Sequence, residues 1–485
     1  MRVLFVSSEM VPFAKTGGLG DVIGALPYAL QKLGVEVAVI LPMYKQIKDN
    51  YGDQCEFLSW EMVQMGWRHW YSGLFRMNYK GLPIYFIDNE RLFGYDKIYV
   101  EYRFDIERFA FFQRAVLSAI GDHMGFYPDM LHLNDWQTGL MPLLLEAHYK
   151  AFGYLQNVYT LYSIHNLKYQ GLTGKEEIAD LGDLPGHYLS ESGVMHGGAA
   201  NFMKTGIVYA NRVTTVSPTY AKEVMSDAYG EGLNGILGAR SWKLVGILNG
   251  INTELYNPAT DPYIYRPFNR VNWKKGKQFN KLGLQRDLAL KEDPSIPLII
   301  MVSRLVPQKG IDLFLEVAHQ ILDMPVQVVL LGTGNPEIEG ALRNLENTRH
   351  DNMRSMIMYD EIWAHKIYAA ADLLLIPSRF EPCGLTQMIA MRYGCLPLVR
   401  ETGGLKDTVH AYNEYEETGN GFSFSAFNSQ DMLNVIRYAL NIYFNHRPEW
   451  DNLCKRAMKE DFSWESSAQK YLNLYEAIVE ENTRP

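Results

Sequence analysis

The sequence predicts an α/β protein made of two successive parallel-sheet domains, and three observations predict it. Short β-rich runs alternate with helical patterns, as in a parallel sheet covered by helices on both faces. The alternation comes as two series, one ending near residue 250 and one beginning near residue 297. One pattern, Thr-Gly-Gly-Leu-x-Asp, occurs in both, at 16–21 and at 402–407. A length of 485 residues fits two or three domains.

In the first series, Val3–Ser8 is an apolar strand. Asp21–Leu33 is a helix kinked at Pro27 and stopped by Gly34. Val35–Leu41, Leu131–Asn134, Val158–Ile164 and Val213–Val216 continue as strands. Ser217-Pro218 starts a helix with a capping hydroxyl and a proline at the first position. Val245–Leu248 is a strand that turns at Asn249-Gly250. The stretch Asn252–Gln285, rich in Asn, Pro, Tyr and Lys, reads as an interdomain crossing with loops.

In the second series, Leu298–Val302 is a continuous apolar run, as in a strand buried on both faces. Gly310–Leu322 is an amphipathic helix. Strands at Val326–Leu331, Met356–Tyr359, Leu373–Pro377 and Leu396–Val399 then alternate with helices at Pro336–Leu345, His365–Ala371 and Leu385–Tyr393. Trp464–Val479 is a long amphipathic helix, free to pack back on the first domain. The expected divisions are 1–250, 251–463 and a C-terminal segment 464–485.

Composition narrows the function. A net charge of −9 and a pI of about 5.8 argue against a nucleic-acid partner, which would favour a basic stripe. Cys55, Cys383, Cys395 and Cys454 form no Cys-x-x-Cys pair, so zinc and dithiol redox signatures are absent and a reducing compartment is expected. No run reaches the roughly 20 apolar residues of a membrane span. The expected location is the cytoplasm, or a plastid after removal of a transit peptide.

The residues with chemistry fall at predicted strand ends, where open α/β sheets bind ligands. Lys15 precedes Gly17 and Gly18, a glycine pair that lets backbone approach an anion at a helix start. Arg304 ends a buried strand and Lys309 precedes a helix, a fork and a point charge suited to a diphosphate. Glu381 is followed by Cys383, Gly384, Leu385 and Thr386, whose N–H groups open a helix toward phosphate or sugar hydroxyls. That helix end is expected to lower the Cys383 thiol pKa. His165, Asp135 and Asn249 mark further strand edges. Each has a plainer role open to it. The loop can be a simple turn, the cations a solvated surface, His165 a structural histidine and Asp135 a cap. Glu381 can compensate a helix end, worth about 0.3–1 kcal/mol.

The chain resembles bacterial glycogen synthases and plant starch synthases of the ADP-glucose type over nearly its whole length. The resemblance rests on Lys-Thr-Gly-Gly-Leu at 15–19, Ile-His-Asn-Leu at 164–167, Ser-Arg-Leu at 303–305, Gln-Lys-Gly at 308–310 and Glu-Pro-Cys-Gly-Leu-Thr-Gln at 381–387. It implies a GT-B fold, two Rossmann-like domains facing a cleft. It implies retaining transfer of glucose from ADP-glucose to the non-reducing end of an α-1,4-glucan such as glycogen or starch, without a metal or cofactor. By similarity Arg304 and Lys309 hold the diphosphate and Lys15 with its glycines approaches the donor. Tyr359 would stack on adenine, and Glu381 with the Cys383–Thr386 backbone would hold the glucose. His165, Asp135 and Asn249 would line the reacting sugar, and Tyr102 would touch the acceptor. One position departs: many members carry His after Asp-Trp, and this chain has Gln137.

Four alternatives remain at this stage. A UDP-glucose-dependent GT-B enzyme would share the fold. A catalytically inactive glucan-binding homologue would share it too, against which Lys15, Arg304, Lys309 and Glu381 argue. A glycoside hydrolase would need no nucleotide, and a nicotinamide oxidoreductase would want a Gly-x-Gly-x-x-Gly turn that is absent. The repeated glycine loops also look unequal. Glu401 precedes the second, so Gly18→Val is expected to harm donor binding more than Gly404→Val.

Overall fold

The structure, a computed structural model, describes residues 1–153 and 155–483; residues 484 and 485 of the expected C-terminal segment lie outside the described residues. The chain divides into two compact units, Met1–Leu248 with the helix Trp464–Thr483, and Asn249–Ser463. Asn249 and Gly250 belong to the second unit, where the next residue, Ile251, donates its N–H to the Phe462 carbonyl at 2.8 Å.

The first unit contains strands β1 (Arg2–Val6), β2 (Glu36–Pro42), β3 (Glu56–Met65), β4 (Arg68–Tyr79), β5 (Leu82–Asp88), β6 (Met130–Asn134), β7 (Tyr159–Ile164), β8 (Leu172–Thr173), β9 (Met195–His196), β10 (Ala199–Asn201), β11 (Arg212–Thr215) and β12 (Leu244–Gly246). Among the described residues, nine of them form one sheet in the order β12-β11-β7-β6-β1-β2-β5-β4-β3. Strands β12 through β5 pair in parallel, and β4 and β3 extend the sheet as an antiparallel meander. Strands β8, β10 and β9 make a separate small sheet. The central strand β1 is fully buried from Val3 to Val6, which explains its uninterrupted apolar run. From β1 the chain moves out through β2 to β5 on one side, then returns with β6 on the other, where Val6 pairs with Leu133. The direction of winding therefore reverses between β1 and β6, the place where such sheets hold ligands beyond the strand ends.

The expected helix over Asp21–Leu33 is two helices, Gly18–Ile23 and Leu26–Lys32. Gly24 lies between them because Val11 passes close by: a Cβ there would sit 3.1 Å from the Val11 Cβ. Pro27 falls in the first turn of the second helix, where its missing N–H leaves no bond unmade, so it starts that helix rather than kinking one. The helix Trp464–Thr483 packs in this unit through buried Tyr471, Tyr475 and Ile478. The Tyr475 hydroxyl meets His132 Nδ1 at 2.6 Å, and Ser467 donates to the Leu248 carbonyl at 2.6 Å.

The second unit carries β13 (Leu298–Val302), β14 (Gln327–Leu331), β15 (Met353–Met356), β16 (Leu373–Ile376), β17 (Leu396–Arg400) and β18 (Phe422–Phe424). They form a parallel sheet in the order β15-β14-β13-β16-β17-β18, with its reversal between β13 and β16. Strand β15 precedes the expected Met356–Tyr359. Arg354 and Ser355 disguise it as polar, yet Arg354 is buried and donates to the Leu288 and Ala289 carbonyls at 2.6 Å each, while Ser355 binds Glu346.

The largest departure is the helix Trp273–Asp287, most of which falls in the stretch Asn252–Gln285 expected to be crossing and loops. Its Gly276 and Gly283 exist for close packing, since a Cβ would lie 2.2 Å from Phe268 and 2.7 Å from Tyr265. Its buried face is polar but satisfied. Lys277 donates to the Ala369 and Tyr393 carbonyls, Lys281 pairs with Asp372 at 2.5 Å, and Gln285 bonds Gln327 at 2.8 Å. Among the described residues, no helix is long and apolar enough to cross a membrane.

Candidate active site

In the first unit, the segments after β1, β6 and β7 bring together the sequence-predicted Asp135 and His165. Asp135 follows β6 with φ +55° and ψ −174°, a strained conformation for a residue with a side chain. The strain aims its carboxylate at the end of β7, where Oδ1 accepts the N–H groups of His165 at 2.7 Å and Asn166 at 3.2 Å. Burial raises the Asp135 pKa to about 7 against the pull of these two amides, and the nearby Glu9 charge adds to the rise.

Asn134 fixes the histidine. Its Nδ2 donates to the Val6 carbonyl at 3.0 Å and the His132 carbonyl at 3.1 Å, so its Oδ1 is the acceptor facing His165 Nε2 at 2.9 Å. His165 therefore carries its proton on Nε2. Desolvation lowers its pKa to about 4, so the ring is neutral at pH 7. Gln137, at the departure from the family pattern, is buried, and its side-chain oxygen has no hydrogen-bond partner among the described residues. Tyr102 starts the helix Tyr102–Ala119, with its hydroxyl accepting the Leu172 N–H at 2.5 Å and its ring 6.4 Å from that of Trp136.

Lys15, Thr16, Gly17 and Gly18 form an exposed loop. Lys15 Nζ lies 2.7 Å from Asp21 Oδ1. A Cβ on Gly17 or Gly18 would meet nothing within 4 Å. The N–H groups of Thr16 and Gly17 point inward, to the carboxylate of Glu9, at 2.6 and 3.1 Å.

In the second unit, the reversal between β13 and β16 opens a cavity of about 160 Å³ lined by Ser303, Arg304, Lys309, Glu381, Gly384 and Thr386. Arg304 is exposed just past β13, and its guanidinium has no partner among the described residues. Lys309 closes a short turn before Gly310, whose φ of +69° and closeness to the Pro377 carbonyl admit only glycine. Lys309 Nζ lies 2.5 Å from Glu381 Oε2, which also accepts the buried Ser378 hydroxyl at 3.0 Å. Tyr359, in the loop after β15, is 78% exposed.

The Glu381–Thr386 turn is clamped from two sides. Gln387 Nε2 donates to the Cys383 and Gly384 carbonyls and meets the Thr408 hydroxyl, at 3.1–3.2 Å. The Gly404 N–H donates to the Glu381 and Pro382 carbonyls at 3.2 Å each. A Cβ on Gly404 would lie 2.1 Å from the Cys383 oxygen, and one on Gly403 2.0 Å from the Glu381 oxygen. The second glycine loop is thus a packing surface behind Glu381. In packing, Gly404 is therefore the more constrained of the two glycines, a steric demand that the comparison of donor binding at Gly18 and Gly404 did not include. Glu401 accepts the Ser423 hydroxyl at 2.8 Å.

A correction concerns Cys383, whose thiol pKa was expected to be lowered. Burial pushes its thiol up to about 12, with the Glu381 and Asp407 charges acting in the same direction, although the Asn249 N–H bonded to it pulls the other way. A thiol in this state is no nucleophile. Glu9, Asn134, Ser378 and Gln387 escaped the sequence reading. The signal for all four was proximity in sequence: each lies within a few residues of Lys15, Asp135 or Glu381 on a strand-end segment.

Residues 2–239 match the family model described as starch synthase catalytic domain, and residues 286–456 the model for glycosyl transferases group 1. The glycogen synthase of Lachnospira eligens is 46% identical over 477 residues, covering 98% of this chain and 100% of that one. That of Clostridium kluyveri is 44% identical over 479 residues, covering 99% and 100%. The catalytic domain of Starch Synthase IV from Arabidopsis thaliana, solved bound to ADP and acarbose, matches with a TM-score of 0.88 at 36% identity, covering 99% of each chain. Two Rossmann-like units of the GT-B type and relatives at this identity along almost the whole length place the conclusion beyond fold: the chain belongs to the glycogen synthase family of glycosyltransferases.

Proposed function

We propose that the protein transfers glucose from ADP-glucose to the non-reducing end of an α-1,4-glucan with retention of configuration. The observation that carries this reading is the cluster of Arg304, Lys309 and Glu381 at the reversal of the second sheet. Arg304 offers an unengaged fork to a diphosphate, and Lys309 a point charge. Together they stabilise the negative charge that develops as the nucleoside diphosphate leaves, the task of preorganised donors in a transferase site. Glu381 keeps the Lys309 ammonium in place, and with the backbone at Cys383–Thr386 it meets the glucose hydroxyls. Exposed Tyr359 supplies a face for the adenine, and Asn249 stands beside Cys383 in the same wall. The unit Asn249–Ser463 thereby holds the donor.

The unit Met1–Leu248 supplies the acceptor side. Lys15 adds positive charge toward the donor. His165, held neutral and in one tautomer, presents a polar edge to the sugar, and Asp135 behind it offsets the positive charge of an oxocarbenium-like centre. Tyr102 lies on the acceptor path. One oxygen of each carboxylate is already engaged, Glu381 Oε2 by Lys309 and Ser378 and Asp135 Oδ1 by the amides at 165 and 166, which favours same-face attack over a carboxylate nucleophile. The acceptor hydroxyl therefore attacks from the face the diphosphate leaves, and the departing phosphate takes its proton. Trapping a glucosyl adduct on Glu381 or Asp135 would overturn that step. The free thiols suit a reducing cytoplasm.

The choice of ADP draws support from the ADP bound in the Arabidopsis relative. Donor competition tests it, with glycogen as acceptor and ADP-glucose set against UDP-glucose. Elongation with release of ADP is expected. Preference for UDP-glucose removes the assignment of the base, and no elongation from either donor removes the enzyme reading.

A further inference from the structure

The first glycine loop is held by a residue that the proposed chemistry leaves unused. Glu9 lies just past β1, beside the reversal of the first sheet, and is 3% exposed. Its Oε2 accepts the N–H groups of Thr16 at 2.6 Å and Gly17 at 3.1 Å, and its Oε1 accepts the hydroxyls of Thr16 at 2.6 Å and Tyr99 at 2.7 Å. The Tyr99 hydroxyl is itself 3.0 Å from Ser8 Oγ. Four donors thus converge on one buried carboxylate, and two of them are the loop amides that a glycine-rich turn would otherwise offer to an anionic ligand. The glycines add no side-chain packing of their own, since a Cβ at Gly17 or Gly18 would meet nothing within 4 Å, and beyond Glu9 the loop is tied through the Lys15 ammonium, 2.7 Å from Asp21 Oδ1.

We infer that Glu9 is a positioning residue of the Lys15–Gly18 loop, fixing the backbone from which the Lys15 ammonium reaches out. The inference rests on the reading that Lys15 serves the donor. It also changes what the loop does: the amides of Thr16 and Gly17 are spent inside the protein, and Lys15 is left as the loop's contribution to binding negative charge. A glutamine could still do this work. Its oxygen can accept the two amides, and its NH₂ can face the Thr16 and Tyr99 hydroxyls, which turn to accept. An alanine cannot.

The test is a double-mutant cycle on the full chain, reading kcat and the KM for ADP-glucose in glycogen elongation for Glu9→Ala, Glu9→Gln, Lys15→Ala and Glu9→Ala/Lys15→Ala. Glu9→Ala is expected to lower kcat/KM by about tenfold or more, while Glu9→Gln stays within about threefold. With Lys15 already removed, Glu9→Ala should lower it by no more than about twofold, because coupled sites are not additive. Undiminished loss in the Lys15→Ala background, or glutamine as damaging as alanine, overturns the positioning role. A silent Lys15→Ala overturns the reading of Lys15 itself, and the inference with it. If Glu9→Ala does not fold, Tyr99→Phe replaces it in the cycle. That change removes one of the four bonds, so a loss of about threefold that vanishes without Lys15 is expected, and an equal loss with and without Lys15 is fatal.

Discussion

Substituting Gly404 by alanine should damage the enzyme more than the same change at Gly18, although both belong to a Thr-Gly-Gly-Leu loop. At Gly404 the new Cβ would lie 2.1 Å from the Cys383 carbonyl oxygen and 2.6 Å from its Cα, so two backbones must part by most of an ångström. Overpacking of this kind costs about 1–3 kcal/mol. The position is helical, so alanine returns roughly 0.8–1 kcal/mol of propensity. A net loss of up to about 2 kcal/mol lowers the melting temperature of a unit this size by up to about 8 °C. The displaced segment carries Glu381, so transfer should fall by about tenfold even below the melting range. At Gly18 nothing lies within 4 Å, and stability should change by less than about 0.5 kcal/mol. Differential scanning calorimetry with an ADP-release assay reads both quantities. A Gly404→Ala protein that melts and turns over like the parent, beside a Gly18→Ala protein that melts early, would refute the packing argument.

Three further outcomes follow from the two strand-end clusters. Arg304→Ala and Lys309→Ala should each slow transfer by about 10²–10³-fold, the loss from one preorganised donor, with the effect mainly in kcat in steady-state assays. Lys309→Ala should lose more stability of the two, because it leaves Glu381 buried without its cation. The folded pKa of Asp135 is raised, to about 7, so its neutral form is favoured: its contribution to stability is complete below the unfolded value and is lost as pH rises through about 7. If its ionised form supports transfer, kcat rises through the same range and Asp135→Asn flattens that limb; an unchanged profile removes Asp135 from the reaction. With its thiol pushed up to about 12 and 6% exposed, Cys383 should resist alkylation at pH 8 while the less buried Cys55 labels first, as peptide mapping would show.

Where the side chain reports its own environment, the sequence was legible. The apolar runs at β1, β13 and β16 are buried on both faces and look it. Polar residues whose partners are distant in sequence misled. Lys277, Lys281 and Gln285 read as a solvated loop because the groups that satisfy them, at Ala369, Tyr393, Asp372 and Gln327, lie well away along the chain. The same holds in the site. Lys15, Lys309 and Glu381 announce themselves by charge close to glycine, and Arg304 by charge at the end of an apolar run. Glu9 and Asn134 do not, because one sits in an ordinary Ser-Ser-Glu-Met run and the other at the end of a strand, and only folding shows what each carboxyl or amide oxygen holds. Cys383 failed for a related reason. A helix start lowers a thiol pKa only where the thiolate keeps solvent or a cation, and here desolvation outweighs it.

The repeated glycine pattern shows how one local solution serves two physical ends. Both copies open a short helix beyond a strand, so both must let backbone come close to something. In the first copy the glycines are exposed and the approach is by an internal carboxylate, Glu9, from beneath. In the second they are buried and the approach is by a peptide chain, the Glu381–Cys383 segment. Neither copy has to bind phosphate through its own amides. Under the proposed function that task falls to discrete cations, Lys15, Arg304 and Lys309, which is how a chain with a net charge of −9 would present positive potential where a diphosphate leaves. Net charge describes solubility and long-range encounter; the field at a strand end is set by the few charges within a Debye length of about 10 Å, and by the low-dielectric walls around them. Neutralising acidic residues far from these strand ends should therefore leave kcat unchanged, whereas removing any one of the three cations should not.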